Sequence, residues 1–337
     1  MLLSICIPTY NRYYSLKNCL KSIYLSSKKT NLPFEICISD NSYSNKNLCL
    51  VNDYINKINI NYKKNSYNLG RTKNYIQASL MAKGEYIWLL GDDDLLLDIS
   101  LNEIKNLLTT HKNVDFFYIN SFNLKSSNNN LELNYSNLKS KKLKKFSQYH
   151  LSKELRFFDL IDPKISFDFL GGMYLSIFRK KNWIQNLNAL NRNHINNLIE
   201  FSSLDNTFPH TKIYAHAFNN SKAFFFSKPI TINLSGTREW NYLYPLVMSY
   251  RLPELLEEYR KNGLSFFQYI YCKNFALRNF IPDTLNLLFS KKINFFNYIN
   301  IYKNIIKNIF YPNFYLSILY FFLRKLFKYR LYETKKN

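Results

Sequence analysis

Tyr86-Ile87-Trp88-Leu89-Leu90-Gly91-Asp92-Asp93-Asp94 decides how the chain is read. An apolar run with aromatic and β-branched content has the length of a strand buried on both faces. It stops at a glycine and three carboxylates. Adjacent acids at the end of a buried run repel one another and lose hydration unless a cation offsets them. In extended backbone Asp92 and Asp94 face the same way. Their oxygens suit a hard divalent ion such as Mg²⁺ or Mn²⁺, completed by phosphate oxygens and water. The alternative is a helix cap, with Asp93 or Asp94 starting a helix at Leu95 and no metal.

Outward from this run the same pattern repeats. Residues 2–7, 34–39, 58–62 and 114–119 are short apolar runs, and Leu16, Cys19, Leu20, Ile23 and Tyr24 recur at helical spacing between the first two. Strands alternating with helices predict right-handed crossovers and a mostly parallel sheet flanked by helices, a Rossmann-like α/β architecture. Ligands of such sheets bind at the carboxyl ends of the strands. The loops there are Pro8-Thr9-Tyr10-Asn11-Arg12, Ser39-Asp40-Asn41-Ser42, Asn68-Leu69-Gly70-Arg71-Thr72-Lys73-Asn74 and the acidic triplet. Arg12, Arg71 and Lys73 beside a carboxylate cluster point to a diphosphate held between the two signs. Asp40 suits a nucleobase N–H or a ribose hydroxyl; on its own, Asp40-Asn41-Ser42 also reads as an ordinary Asx turn.

The remainder is less patterned. Residues 121–147 dissolve into Asn, Ser, Lys and Leu, including the run Lys141-Lys142-Leu143-Lys144-Lys145, and read as a solvated boundary. Residues 151–245 are mixed: a helical stretch, the strand around Gly171-Gly172-Met173-Tyr174-Leu175-Ser176-Ile177-Phe178-Arg179, then more helix. From Met248 onward the chain reads as helices. The expected organisation is therefore 1–122, a basic loop 123–150, a second half 151–247 and a helical, basic-aromatic extension 248–337.

Together the segments around Ser4–Arg12, Ile38–Ser42, Asn68–Gly70 and Ala82–Asp94 resemble the family 2 glycosyltransferases of the GT-A fold. Their order and spacing agree over about the first third of the chain. The Trp-Leu-Leu-Gly-Asp-Asp-Asp variant resembles the abequosyltransferase-like branch, whose members add sugars to bacterial surface polysaccharides. The resemblance implies an inverting transfer from a UDP- or CDP-type nucleotide sugar to a hydroxyl of a growing cell-surface glycan (lipopolysaccharide, O-antigen or capsule) or a lipid-linked glycan. The donor would lie against Pro8, Tyr10, Arg12, Asp40, Asn68, Gly70, Arg71, Lys73, Asp92 and Asp93. Mn²⁺ or Mg²⁺ would sit on Asp94 and Asp92, with His210 as a further ligand; a core histidine is the alternative for His210. A carboxylate base is implied past the Gly-Gly strand. Asp205 falls at a fitting distance, although Leu204 replaces the usual acidic neighbour, and Asp168 and Glu200 are rivals. Arg238 and Trp240 resemble a loop covering the donor or acceptor.

Composition bounds these readings. The 337 residues carry 46 Lys and Arg against 23 Asp and Glu, a formal charge of +23. Such an excess suits polyanions, and a nucleic-acid or polyanion-binding protein without catalysis is the rival class. Acids at the strand end would repel phosphate backbones, and no DNA- or RNA-binding signature is present, so nucleic acid is not an expected partner. Part of the excess matches the Asn, Lys, Ile, Tyr and Phe bias of AT-rich codons. Five cysteines without a C-x-x-C pair, and no basic segment before an apolar start, predict a reducing, cytoplasmic setting. After Asp283 there are ten Lys or Arg and a single acid, Glu333, among many aromatic and aliphatic residues. Phe321, Phe322, Leu326 and Tyr329 beside Arg324, Lys325, Lys328 and Arg330 would form an amphipathic basic helix suited to the inner face of an anionic membrane; a packed helical domain with a solvated basic face, or a dimer contact, is the alternative.

Overall fold

Leu3, Ile5, Cys6 and Ile7 have no solvent-exposed surface, so strand β1 (Leu3–Thr9) is covered on both faces, as a central parallel strand must be. The computed structural model describes residues 1–125, 143–197, 199–235, 240–292 and 294–333. The basic run predicted at 141–145 lies outside them at 141 and 142, as does Arg238. β1 pairs in parallel with β2 (Phe34–Asp40) and β4 (Tyr86–Leu89), and β2 with β3 (Ile60–Lys64). Helices α1 (Tyr13–Ser27), α2 (Lys46–Asn52) and α3 (Arg71–Leu80) lie between successive strands. Register fixes the site: Thr9 lies opposite Asp40, and Cys6 opposite Leu89. The loops after β1, β2 and β4 therefore leave the same end of the sheet.

Beyond β4 the sheet changes direction. Strand β5 (Asp94–Leu96) and helix α4 (Ser100–Thr110) lead into β6 (Phe116–Lys125), with the short β7 (Lys144–Lys145) on its edge and β8 (Lys153–Arg156) pairing further on. Strand β9 (Ser176–Arg179) runs antiparallel between β4 and β6, with Ile177 facing both Trp88 and Phe117. Helices α5 (Lys180–Gln185) and α6 (Pro209–Ala217) precede β10 (Lys222–Ser235), which pairs in parallel with β6 and antiparallel with β5 and β8. The order is β3-β2-β1-β4-β9-β6-β10-β5 in one ten-stranded sheet, so residues on both sides of 123–150 build a single sheet.

The five apolar runs of the first 120 residues are all strands. The segment 151–245 differs from expectation: residues 153–156 form β8 where helix was predicted, and the 14-residue β10 was not anticipated. Pro229 reads as a strand breaker because it donates no ladder hydrogen bond. Here it sits at a register shift between Phe226 and Thr231, where a bulge absorbs it. The later part is helical: α7 (Leu252–Lys261), α8 (Phe266–Ala276), α9 (Phe280–Leu288), α10 (Ile301–Asn308) and α11 (Pro312–Glu333).

Candidate active site

The acidic triplet does not continue as extended strand. Asp94 N–H donates to the Gly91 carbonyl at 3.2 Å, which closes residues 91–94 into a turn. The alternation that would align Asp92 with Asp94 is thereby lost. Asp94 turns inward: its Oδ2 accepts from Gly91 N–H at 3.1 Å and its Oδ1 from Asn233 Nδ2 at 2.8 Å, across the β5–β10 register. Asn233 lies on the strand that was not anticipated, so no sequence signal marked it. A Cβ on Gly91 would meet Asp94 Oδ2 at 2.7 Å and Asp93 Oδ1 at 2.9 Å; the glycine is required by the packed carboxylates.

Asp92 and Asp93 converge instead. One Arg12 nitrogen donates to Asp92 Oδ1 at 2.8 Å and to Asp93 Oδ2 at 3.1 Å, and Thr9 Oγ1 donates to Asp92 Oδ2 at 2.7 Å. Burial pushes the Asp92 carboxyl up to about 6, against the opposing pull of Arg12. Asp92 in turn pushes the Arg12 guanidinium further up, so that cation is permanent.

The second and third loops are locked by side-chain amides. Asn11, at φ 54°, donates its N–H to Ser42 Oγ at 2.7 Å. Asn41 Nδ2 donates to Asn68 Oδ1 at 2.8 Å, and Asn68 Oδ1 also accepts from Gly70 N–H at 2.9 Å. Gly70 has φ +81°, a left-handed conformation that favours glycine just before α3. Asn65, which sequence reading missed, donates to Ser39, Asn41 and Asn74, while Asn74 donates to the Thr9 carbonyl at 3.0 Å. Asp40 is fully buried: its Oδ1 accepts from Ser42 N–H at 2.7 Å and its Oδ2 from the Tyr62 hydroxyl at 2.8 Å. What this corner shows to solvent is the edge-to-face pair Tyr10 and Tyr43, with centroids 6.0 Å apart. Pro8 is half-buried opposite Ser39, and Lys73 is half-buried on the first turn of α3.

Across the crevice, Arg71 faces Glu200 at 3.6 Å and lies 4.1 Å over the Phe201 ring, which is 5.1 Å from Trp240. The rival base Glu200 is thus half-exposed and paired with a cation expected to serve phosphate. Asp205, on a one-turn helix (Leu204–Thr207), is buried; its Oδ1 accepts from Asn191 N–H and Lys212 Nζ, both at 2.8 Å, and its Oδ2 faces His194 Nδ1 at 3.1 Å. Burial alone would raise its pKa, but these bonds outweigh burial and hold the carboxyl below the usual range. Asp168 is half-buried, accepts from Ser166 Oγ at 2.7 Å, and is followed by Phe169 and Leu170 at φ 51° and 70°. Among the described residues the non-glycine positions with positive φ are Asn11, Phe169, Leu170 and Phe201. Each lies in a loop named here, where strain concentrates at functional sites.

His210 is not brought to the acids. Its ring lies among Tyr75, Phe208 and Tyr214, its Nε2 faces the Gly171 carbonyl at 3.0 Å, and burial pushes it down to about 4, so it is neutral. Among the described residues no three His, Cys, Asp or Glu side chains are grouped to hold a metal. Of the expected ligands Asp92, Asp94 and His210, Asp94 bonds Gly91 and Asn233 and His210 packs among aromatic rings, so these three side chains are not gathered in this structure. The residues nonetheless fit a hard divalent ion in a reduced form, since two adjacent carboxylates already gather on one cationic nitrogen, that of Arg12.

Residues 4–163 match the sequence profile of glycosyl transferase family 2. Abequosyltransferase RfbV of Salmonella typhimurium is 39% identical over 116 residues, 34% of this chain and 34% of that protein. The uncharacterized glycosyltransferase MG060 of Mycoplasma genitalium is 32% identical over 99 residues, 28% of this chain and 33% of that protein. The matched segments thus span about a third of each curated relative's length. TarS 1-349 of S. aureus superimposes with a TM-score of 0.55 at 17% identity, covering 90% of this chain and 77% of that one. Mannosyltransferase PcManGT of Pyrobaculum calidifontis, in a complex with GDP-Man and Mn2+, does so at 0.50 and 11%, covering 94% and 83%. The resemblance to family 2, and to its abequosyltransferase branch, holds, and the fold is that of the GT-A glycosyltransferases.

Proposed function

We propose that the chain is an inverting glycosyltransferase that moves a sugar from a nucleotide-diphosphate sugar to a hydroxyl of a cell-surface or lipid-linked glycan. The observation that carries this reading is the meeting of Arg12 with Asp92 and Asp93 at the carboxyl end of a parallel sheet. Permanent cation and paired carboxylates there are what a metal diphosphate needs. The family profile over 4–163 supports the same reaction class, and a relative related to abequosyl transfer supports a bacterial surface glycan as product.

Asp92 and Asp93 would hold Mn²⁺ or Mg²⁺, which when bound supplies charge stabilisation to the departing diphosphate. Arg12 would serve the phosphate oxygens, with Lys73 on the first turn of α3. The base of a UDP- or CDP-type donor is assigned to the Asp40 loop, with Tyr10 and Tyr43 as its exposed aromatic wall. Phe201 and Trp240 line the opposite side. The acceptor oxygen attacks the anomeric carbon as the carbon–phosphate oxygen bond breaks, and a carboxylate takes the hydroxyl proton. Asp205 is the assigned base: it is ionised through the neutral range and fixed by three donors. Asp168 is the second reading, favoured by the fact that Asp205 has both oxygens engaged. A lipid-linked acceptor would place the enzyme at the inner face of the cytoplasmic membrane.

A thermal-shift screen of UDP, CDP, GDP and dTDP and their sugars with Mn²⁺ tests the assignment. One nucleotide series raising the melting temperature is expected. A flat response across all four removes the transferase reading.

A further inference from the structure

Helix α11 is built inside out. Its polar residues face the protein: Ser317 is buried and accepts from Ile281 N–H at 3.3 Å, and Asn313 donates its N–H to Asn274 Oδ1 and its Nδ2 to the Asn274 carbonyl of α8, at 2.9 and 2.8 Å. With Phe314 and half-buried Phe321 these residues form the inward stripe. The outward face over the next turns is apolar throughout: Tyr315, Leu316, Ile318, Leu319, Phe322 and Leu323 are exposed. A surface helix of a water-soluble domain carries polar residues there. The preceding α10 packs Ile301, Ile305 and Ile309 against the core, yet apolar side chains also stand on its outer side and just beyond its end. Tyr302, Ile306 and Phe310 recur at intervals of four and are 81%, 66% and 85% exposed, while Asn308 is buried.

We propose that this face of α10 and α11 docks on an anionic lipid bilayer. Charge selects the occupant. After Asp283 the sequence has ten Lys or Arg and one acid, Glu333; Lys303 is exposed beside Tyr302, and Lys307, beside Ile306, pairs with Glu257 at 3.0 Å. A second copy of a chain with formal charge +23 would bring like charges together around the apolar face. An anionic headgroup layer complements the basic surround and the acyl boundary takes the apolar side chains. Length sets the mode. Residues 314–323 rise about 15 Å, roughly half a hydrocarbon core, and no described helix is long and apolar enough to cross a membrane. The helix therefore lies in the interface. Its exposed tyrosines, Tyr315 and Tyr320, suit the headgroup level. The surface deepens the proposed function, since it would hold the enzyme beside a lipid-linked acceptor and in that respect rests on it; its test does not use sugar transfer.

The experiment is co-sedimentation of the full chain with phosphatidylcholine vesicles, with and without phosphatidylglycerol, beside the double variant Leu319→Glu/Phe322→Glu. Both changes are on exposed positions, and circular dichroism with nucleotide thermal shift reports that each protein is folded and still binds donor. Expected is binding to the phosphatidylglycerol vesicles only, weakened by salt and reduced about tenfold or more in the variant. Equal binding by variant and parent overturns the proposal, as does absence of binding to phosphatidylglycerol vesicles. A parent dimer that the variant converts to monomer in light scattering, without vesicle binding, assigns the face to a second copy instead. Loss of donor binding with vesicle binding intact would strike the transferase reading alone.

Discussion

The guanidinium of Arg12 stands 2.8 Å from Asp92, so a cation from the first loop neutralises the buried acid of the fourth. Asp92 is 4% exposed and would otherwise carry its charge out of water with only Thr9 to solvate it. On the proposed function, donor binding would be an exchange of cations. In isothermal titration, affinity for the matching nucleoside diphosphate should rise about tenfold or more with Mn²⁺ in the parent, and Asp92→Asn should abolish that gain. Parent affinity indifferent to Mn²⁺ would remove the metal assignment.

Asp94 braces the turn at Gly91, and its substitution should show in stability. Asp94→Ala removes the carboxylate that accepts from Gly91 N–H and Asn233 Nδ2 in a buried setting. About 1–3 kcal/mol of stability should be lost, measured by urea denaturation at neutral pH. An unchanged midpoint would mean the turn is held by other contacts.

The base is tested by kinetics. Asp205→Asn should keep donor affinity and lower turnover by about 10²–10⁴. If Asp168→Asn has that profile and Asp205→Asn only lowers the melting temperature, the roles are reversed, with Asp205 anchoring Asn191, His194 and Lys212.

His210 supplies a pH signature. Its pKa is near 4 folded and about 6.5 unfolded, so between these values the unfolded chain binds more protons. Its contribution is complete above the unfolded value and is lost as pH falls through the folded one, to a total of about 3 kcal/mol. His210→Phe should flatten stability between pH 6.5 and 4 relative to the parent. An equally steep profile would place the titration elsewhere.

What the sequence disclosed followed physical contrast. β1, β2 and β4 are buried on both faces and stand out as apolar runs, and the polar loops at their ends mark the crevice directly. β10 did not stand out, because a bulge lets Pro229 sit where an unbroken ladder would exclude it. The carboxylate pairing was missed for a related reason. Alternation holds only in extended backbone, and a single bond from Asp94 N–H to Gly91 replaces it with a turn. His210 and Asp205 were visible as residue types, but their state depends on partners that folding brings in, the distant Tyr75 for one and Asn191 and Lys212 on flanking turns for the other.

The position of β9 also constrains how the polypeptide is made. Residues 176–179 fill the gap between β4 and β6, so the edges of those two strands that face each other stay open until residue 179 has left the ribosome. The stretch matching the family profile ends at 163, short of that point. A nascent or truncated chain ending there presents two unpaired hydrophobic edges, an invitation to aggregate. The part matched by the family profile is therefore not its unit of folding, and truncations or chimaeras should be joined beyond β10.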